Sequence, residues 1–154
     1  MTNPAVRNAI VLGGVGVGKS SVIQRFLKQE YSSDYYPTVN STQSKILRIG
    51  EKEYNLTIMD TTGQILDMTG TSSVGIVLVG TKCDLVDERQ VTTKEAQKVA
   101  DEFKCPYMET SAKDNKNIEE LFVESIKVAN KSRGGSIDAV EGGDTTDKST
   151  CVIM

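Results

Sequence analysis

An α/β domain with a largely parallel sheet is predicted by three observations. Short apolar runs at residues 9–12 and 75–80 have the length and composition of strands buried on both faces. Stretches with helical periodicity alternate with them, the pattern that builds parallel sheets. A glycine-rich segment, Gly13 to Ser21, stands between the first strand and the first helix, a place where many α/β domains meet a ligand.

Each element follows from its residues. After the strand at 9–12, residues 20–28 put Val22, Phe26 and Leu27 on one helical face. Residues 45–49 and 53–60 alternate, with Tyr54, Leu56 and Ile58 pointing one way about a Gly50-Glu51-Lys52 turn, which predicts a hairpin. Residues 75–80 form another buried strand. Thr92, three before Glu95, makes a capping box for a helix over 93–103. A short strand follows at 107–110. Asn117 is positioned to cap a last helix over 118–130, striped with Leu121, Phe122, Ile126 and Ala129. From 131 the periodicity stops in favour of Gly, Ser, Thr and Asp, too poor in apolar groups to offset their own ordering entropy. The expected organisation is one domain over 1–130 and a disordered tail over 131–154.

Composition bounds the function. The chain has 154 residues, 38% hydrophobic and 25% charged, enough for one soluble domain with a core. A net charge of −3 argues against non-specific nucleic-acid binding. The chain has no histidine, which excludes a histidine-based catalytic pair. Cys83, Cys105 and Cys151 share no metal spacing and form no even framework, so a reduced cytosolic setting is expected. The N-terminal apolar run is too short for a signal peptide, no run reaches the roughly 18 apolar residues of a span, and Thr2 excludes N-myristoylation.

Four segments carry chemistry. The run Gly13, Gly14, Val15, Gly16, Val17, Gly18, Lys19, Ser20, Ser21 fits G-x-x-x-x-G-K-[ST] in its required strand–loop–helix context. Backbone N–H groups of such a loop wrap phosphates, Lys19 reaches the β- and γ-phosphates, and Ser20 ligates Mg²⁺. Asp60 ends a strand before Thr61-Thr62-Gly63-Gln64, where a carboxylate suits Mg²⁺ and Gly63 permits close approach to a γ-phosphate. Thr81-Lys82-Cys83-Asp84 follows the next strand, and one carboxylate there can accept two hydrogen bonds from guanine N1 and N2. Ser111-Ala112-Lys113 follows the strand after that, where a backbone N–H can meet guanine O6. Asp84 counts against a third class, an ATP-dependent enzyme.

In this order, each after its own strand, these motifs resemble those of the Ras superfamily of small GTPases, most closely its Ras and Rheb branches. The matching motifs run from about Val6 to Asn130 and return at the C-terminus. The resemblance implies a G domain of the phosphate-loop NTPase class that binds GTP and GDP with Mg²⁺. Tyr31 matches the aromatic that packs on guanine. Tyr36-Pro37-Thr38 looks like the start of an effector loop running to Gln43, through which effector, exchange and activating proteins would act. Thr38 would bind Mg²⁺ and the γ-phosphate. Asp60, Gly63 and Gln64 look like the metal, phosphate and water-orienting residues, which makes Gln64 and Lys19 the catalytic candidates. Thr81, Lys82, Asp84, Ser111, Ala112 and Lys113 look like the guanine reader. Residues 65–70 resemble the end of the third helix of Rheb-type proteins.

Cys151-Val152-Ile153-Met154 reads as a prenylation box, with Met favouring farnesyl. The expected location is the cytoplasmic face of plasma or internal membranes. A single lipid chain binds only marginally, and residues 131–150 carry three basic against four acidic groups, so a soluble cytosolic pool is expected too.

Three departures stand out. Val15 occupies a loop position that is Gly in Ras-type and Arg in Rheb-type proteins, where it would crowd Gln64 and an arginine finger. Residues 37–43 lack the acidic residues that usually follow the effector threonine. Finally, family members place roughly 35–40 more residues between the DxxG loop and the guanine reader, more than a minimal βαβ unit. Residues 61–73 span at most about 45 Å and cannot also form a strand and a crossover helix. The shortening, near 64–74, removes a central strand. Closing the gap would move the guanine reader about 4.8 Å, and leaving it open would expose two central strand edges. A second reading therefore stays open: an internally shortened, non-enzymatic product with impaired nucleotide binding, acting as a membrane-tethered interaction fragment.

Overall fold

The computed structural model describes residues 3–34, 41–60, 75–132 and 149–153. The chain alternates as predicted: β1 (Ala5–Val11), α1 (Lys19–Lys28), β2 (Ser41–Ile49), β3 (Lys52–Asp60), β4 (Gly75–Gly80), α2 (Thr93–Phe103), β5 (Tyr107–Glu109) and α3 (Ile118–Ser132). A sixth strand, β6 (Ser149–Ile153), closes the list. The sheet runs in the order β2-β3-β1-β6-β4-β5, and only the β2–β3 hairpin is antiparallel.

The alternation in β3 does what its period demands. Tyr54, Leu56 and Ile58 turn to one face and are buried, joined by Ala9 and Val11 of β1. On that face lie α1 and α3, which meet where the Phe26 and Phe122 rings stack at 4.1 Å between centroids. Leu121, Phe122, Ile126 and Ala129, the predicted stripe of α3, are all buried, and Ile23 joins Val22 and Phe26 from α1. The hairpin turns on Gly50, whose φ of +62° favours a residue without Cβ. In α2 the capping box is complete: the Thr92 hydroxyl accepts from Glu95 N, and the Glu95 carboxylate accepts from Thr92 N at 2.8 Å. Asn117 holds the expected cap position before α3, its carbonyl accepting from Leu121 N at 3.1 Å. Its φ is +55°, and its side-chain amide donates to the Glu109 carbonyl at 2.9 Å, which fastens the start of α3 to β5.

The centre of the sheet resolves the spacing problem in a third way. The strands β1 and β4 neither close on each other nor face an open slot. Between them runs β6, parallel to both, with Arg7 to Val11 in register with Ser149 to Ile153 and Gly75 to Val77 in register with Cys151 to Ile153. The expectation of a structureless tail over 131–154 therefore divides. Lys131 and Ser132 complete α3, residues 133–148 lie outside the described residues, and 149–153 form a strand. The physical reason is local: Thr150, Val152 and Ile153 are β-branched, and two strand edges offer partners.

β4 packs hard against α3. A Cβ built on Gly75 would stand 2.8 Å from Val128 Cγ1 and 3.0 Å from the backbone N of Ala129. Gly75→Ala is expected to lower stability by about 1–3 kcal/mol, because the backbone neighbour cannot move aside. Urea titration should show a lower midpoint at unchanged slope, and an unaltered midpoint would refute the close approach.

Candidate nucleotide site

The site is built at the carboxyl ends of the parallel strands. The chain leaves β1 at Val11 and turns through Gly13, Gly16 and Gly18, all at positive φ, before entering α1 at Lys19. Lys19 is buried, and its ammonium donates to the carbonyls of Gly13 (2.9 Å) and Gly14 (2.8 Å), which holds it at the centre of the loop. The Val15 side chain stands out from the loop, 75% exposed.

Next in α1, Ser20 donates to Asp60 Oδ2 at 2.6 Å, so the helix start and the end of β3 meet as their motifs predict. Asp60 is buried, and its other oxygen, Oδ1, has no hydrogen-bond partner among the described residues. A bare, buried carboxylate oxygen beside a serine hydroxyl suits a hard divalent cation with oxygen ligands. The residues present thus fit Mg²⁺.

The Thr81–Asp84 segment follows β4 and is bound directly to the phosphate loop. Lys82 Nζ donates to the Gly16 carbonyl at 2.8 Å, and the Thr81 hydroxyl donates to the Val17 carbonyl. Lys82 itself sits at φ +56°. From the other side, Cys83 N donates to Thr110 O at 3.0 Å, and the Ser111 hydroxyl donates to Asp84 Oδ1 at 2.7 Å. Ser111, Ala112 and Thr110 are buried, whereas Lys113 is exposed. The structure thus brings Gly13–Ser20, Asp60, Thr81–Asp84 and Ser111–Lys113 together. Ser21 follows Ser20 in α1, and Tyr31 stands beyond that helix, 42% exposed. Thr38, with Tyr36 and Pro37, lies outside the described residues, as do Gly63, Gln64 and 65–70.

Two supports were not read from the sequence. Arg25 Nη2 donates to the Lys113 carbonyl at 3.1 Å, bracing the second reader loop from α1. Glu109, at the end of β5, accepts from Arg89, Tyr107 and Thr93. Neither has a motif signal, since each joins elements distant in the chain. Behind the loop lies a cavity of about 210 Å³ lined by Val11, Val22, Val79 and Leu121 among others. Gly13, Val17, Lys19 and Thr81 also line it, so it opens onto the candidate site itself.

Comparison with known proteins places the chain in context. The family profile described as "Ras family" matches residues 8–66 and 64–131. A GTP-binding protein Rheb homolog of Dictyostelium discoideum is 27% identical over 186 residues, covering 96% of this chain and 97% of the relative. The Ras-like protein rasB of the same organism is 30% identical over 194 residues, covering 94% and 95%. The human GTP-binding protein Di-Ras1 is 32% identical over 189 residues, covering 94% and 95%.

The hydrogen bond from Arg89 holds the Glu109 carboxyl below its ordinary range, with further help from Thr93 and Tyr107. A folded-state value lowered in this way contributes stability that is present above the unfolded value and lost as pH falls through the folded one. Glu109→Gln should therefore destabilise the protein at neutral pH and make little difference well below pH 4.5, the carboxyl's ordinary value. Urea midpoints of both proteins at the two pH values check this. A difference that persists undiminished in acid would show that the charge is not the cause.

Proposed function

Since the chain belongs to the Ras family of small GTP-binding proteins, we propose that it binds GTP and GDP in the site just described and hydrolyses GTP slowly. The observation that carries this reading is the pair of bonds from Lys82 and Thr81 to the Gly16 and Val17 carbonyls. They tie guanine reader to phosphate loop, so a rigid nucleotide meets both ends of its site at once. Asp84, oriented by the Ser111 hydroxyl, accepts from guanine N1 and N2, and the N–H groups that follow Ser111 serve O6. Loop N–H groups from Gly14 to Lys19 and the Lys19 ammonium gather the phosphate charge. Ser20 and Asp60, with Thr38, would hold Mg²⁺, which supplies positive charge to the β- and γ-phosphate oxygens. Water attacks the γ-phosphorus, the bond to the β-phosphate oxygen breaks, and Gln64 orients that water. Val15, on the outer rim of the loop, crowds the approach. Effector, exchange and activating proteins act through the Tyr36–Gln43 loop.

A second reading, a shortened product with impaired binding and little catalysis, also has support. The alignments to the Rheb homolog, rasB and Di-Ras1 run over 186, 194 and 189 positions, more than the 154 residues of this chain, so each opens gaps in it. The family match breaks at 64–66, where the shortening falls. The two readings differ on nucleotide affinity. Calorimetric titration with GDP and Mg²⁺ should show saturable binding, with no comparable heat from ADP. Asp84→Asn should weaken GDP binding by about 10- to 100-fold, the scale of a charge-assisted hydrogen bond. Absence of heat with GDP would favour the second reading, and equal heats with GDP and ADP would overturn the guanine assignment.

Hydrolysis and lipidation extend the proposal. Val15→Gly should raise the single-turnover rate of bound GTP, and an unchanged rate would place the limitation in the shortened segment instead. The Cys-Val-Ile-Met motif would take a farnesyl group at Cys151 and hold the protein on the cytoplasmic face of a membrane, with a soluble pool in equilibrium. Supporting this is the Cys-Val-Ile-Met sequence alone. No helix among the described residues is long and apolar enough to cross a membrane.

A further inference from the structure

We propose that the slot between β1 and β4 is a strand-acceptor site whose occupant is this chain's own segment 149–153, and that filling it withholds Cys151 from modification. The second half of this statement rests on the lipid reading above, whereas the first half does not.

The slot is defined by two backbone edges. β1 pairs with β3 along one edge, and β4 pairs with β5 along one edge. Their other edges face each other, and β6 pairs with Arg7 to Val11 on one and with Gly75 to Val77 on the other. Buried backbone groups without partners cost about 1–3 kcal/mol each, so an empty slot would be unfavourable at several positions together. The chain brings its own end to the right place. Asn130, near the end of α3, accepts from Arg7 Nε at 2.7 Å, and Arg7 is the residue in register with Ser149. The tail thus starts beside the mouth of the slot it fills. The intervening residues 133–148 can span up to about 50 Å, far more than this return requires. A segment tethered so close also has a high effective concentration, which favours it over a strand from another molecule.

Cys151 lies in the middle of the inserted strand, in register with Ala9 on one side and Gly75 on the other. In farnesyl transfer its thiolate attacks C1 of farnesyl diphosphate. A carbon–sulfur bond forms as the carbon–oxygen bond breaks, diphosphate leaves and the thiol proton passes to solvent. A transferase must hold the last residues as a free segment, and a strand paired along both edges is not free. The tail is therefore either part of the sheet or a lipid anchor. A nucleotide that binds only the closed sheet would shift the balance toward insertion.

The test uses the full chain in two independent arms. Amide hydrogen exchange followed by mass spectrometry should show slow exchange within 149–153 at a protein concentration where the molecule is monomeric. Exchange as fast as that of a free peptide would overturn strand insertion. Slow exchange seen only in a dimer would assign the strand to a second copy and overturn the intramolecular form. In the second arm, a protein farnesyltransferase with farnesyl diphosphate is given the full chain or a peptide of residues 143–154. The full chain should react about tenfold or more slowly than the peptide, in proportion to the fraction with the strand released. Thr150→Pro lies outside the four-residue box and removes an N–H from a central strand, so it should restore the peptide's rate. Thr150→Val, which keeps the N–H, should remain slow. Equal rates for the full chain and the peptide would overturn the exclusion. A peptide that does not react at all would refute the lipid reading, leaving strand insertion to the exchange arm, which needs no variant to fold.

Discussion

Everything in this molecule depends on the backbone hydrogen bonds along the inner edges of β1 and β4. An interior strand of a parallel sheet has no water to turn to, so each edge must be matched by another strand of the right length and direction. Five residues of β6 meet that requirement along β1, and three of them, Cys151 to Ile153, meet it along β4. With them in place, β4 stands one strand away from β1, and the loops at the strand ends reach across. Lys82 finds the Gly16 carbonyl and Thr81 the Val17 carbonyl because the sheet beneath them has kept its width. The spacing between the Gly13–Ser20 loop and the Thr81–Asp84 loop is thus set by a strand pairing that runs up to Val11, two residues before Gly13.

Much of this was legible in the sequence because it depends on local rules. The strand–glycine loop–helix order fixed the place of Lys19 and Ser20, the alternation of Tyr54, Leu56 and Ile58 fixed the buried face of β3, and Thr92 with Glu95 announced the start of α2. What remained hidden was the occupant of the central slot. Spacing alone exposed a missing strand and allowed two outcomes, a closed gap or an open one. A tail dominated by glycine, serine and aspartate masked the five residues at its end that can serve as a strand. Their short apolar run has no periodicity to distinguish a strand from a modification box, and strand pairing between distant segments leaves no local signal.

The same limitation applies to the braces around the reader. The bond from Arg25 to the Lys113 carbonyl and the bonds from Arg89 and Thr93 to Glu109 join separate segments of the chain. Each residue taken alone is an ordinary surface side chain. Only the fold shows that Arg25 braces the Lys113 loop and that Glu109 gathers three donors at the end of β5. In the same way Asn117, read as a helix cap, also fastens the start of α3 to β5 through the Glu109 carbonyl.

The pairing of β1 with β6 joins two strands far apart in sequence. Non-local strand pairings of this kind form slowly, because the loop between them must be closed before any contact rewards it. Until this one forms, β1 and β4 present bare edges of the kind that invite pairing with other chains.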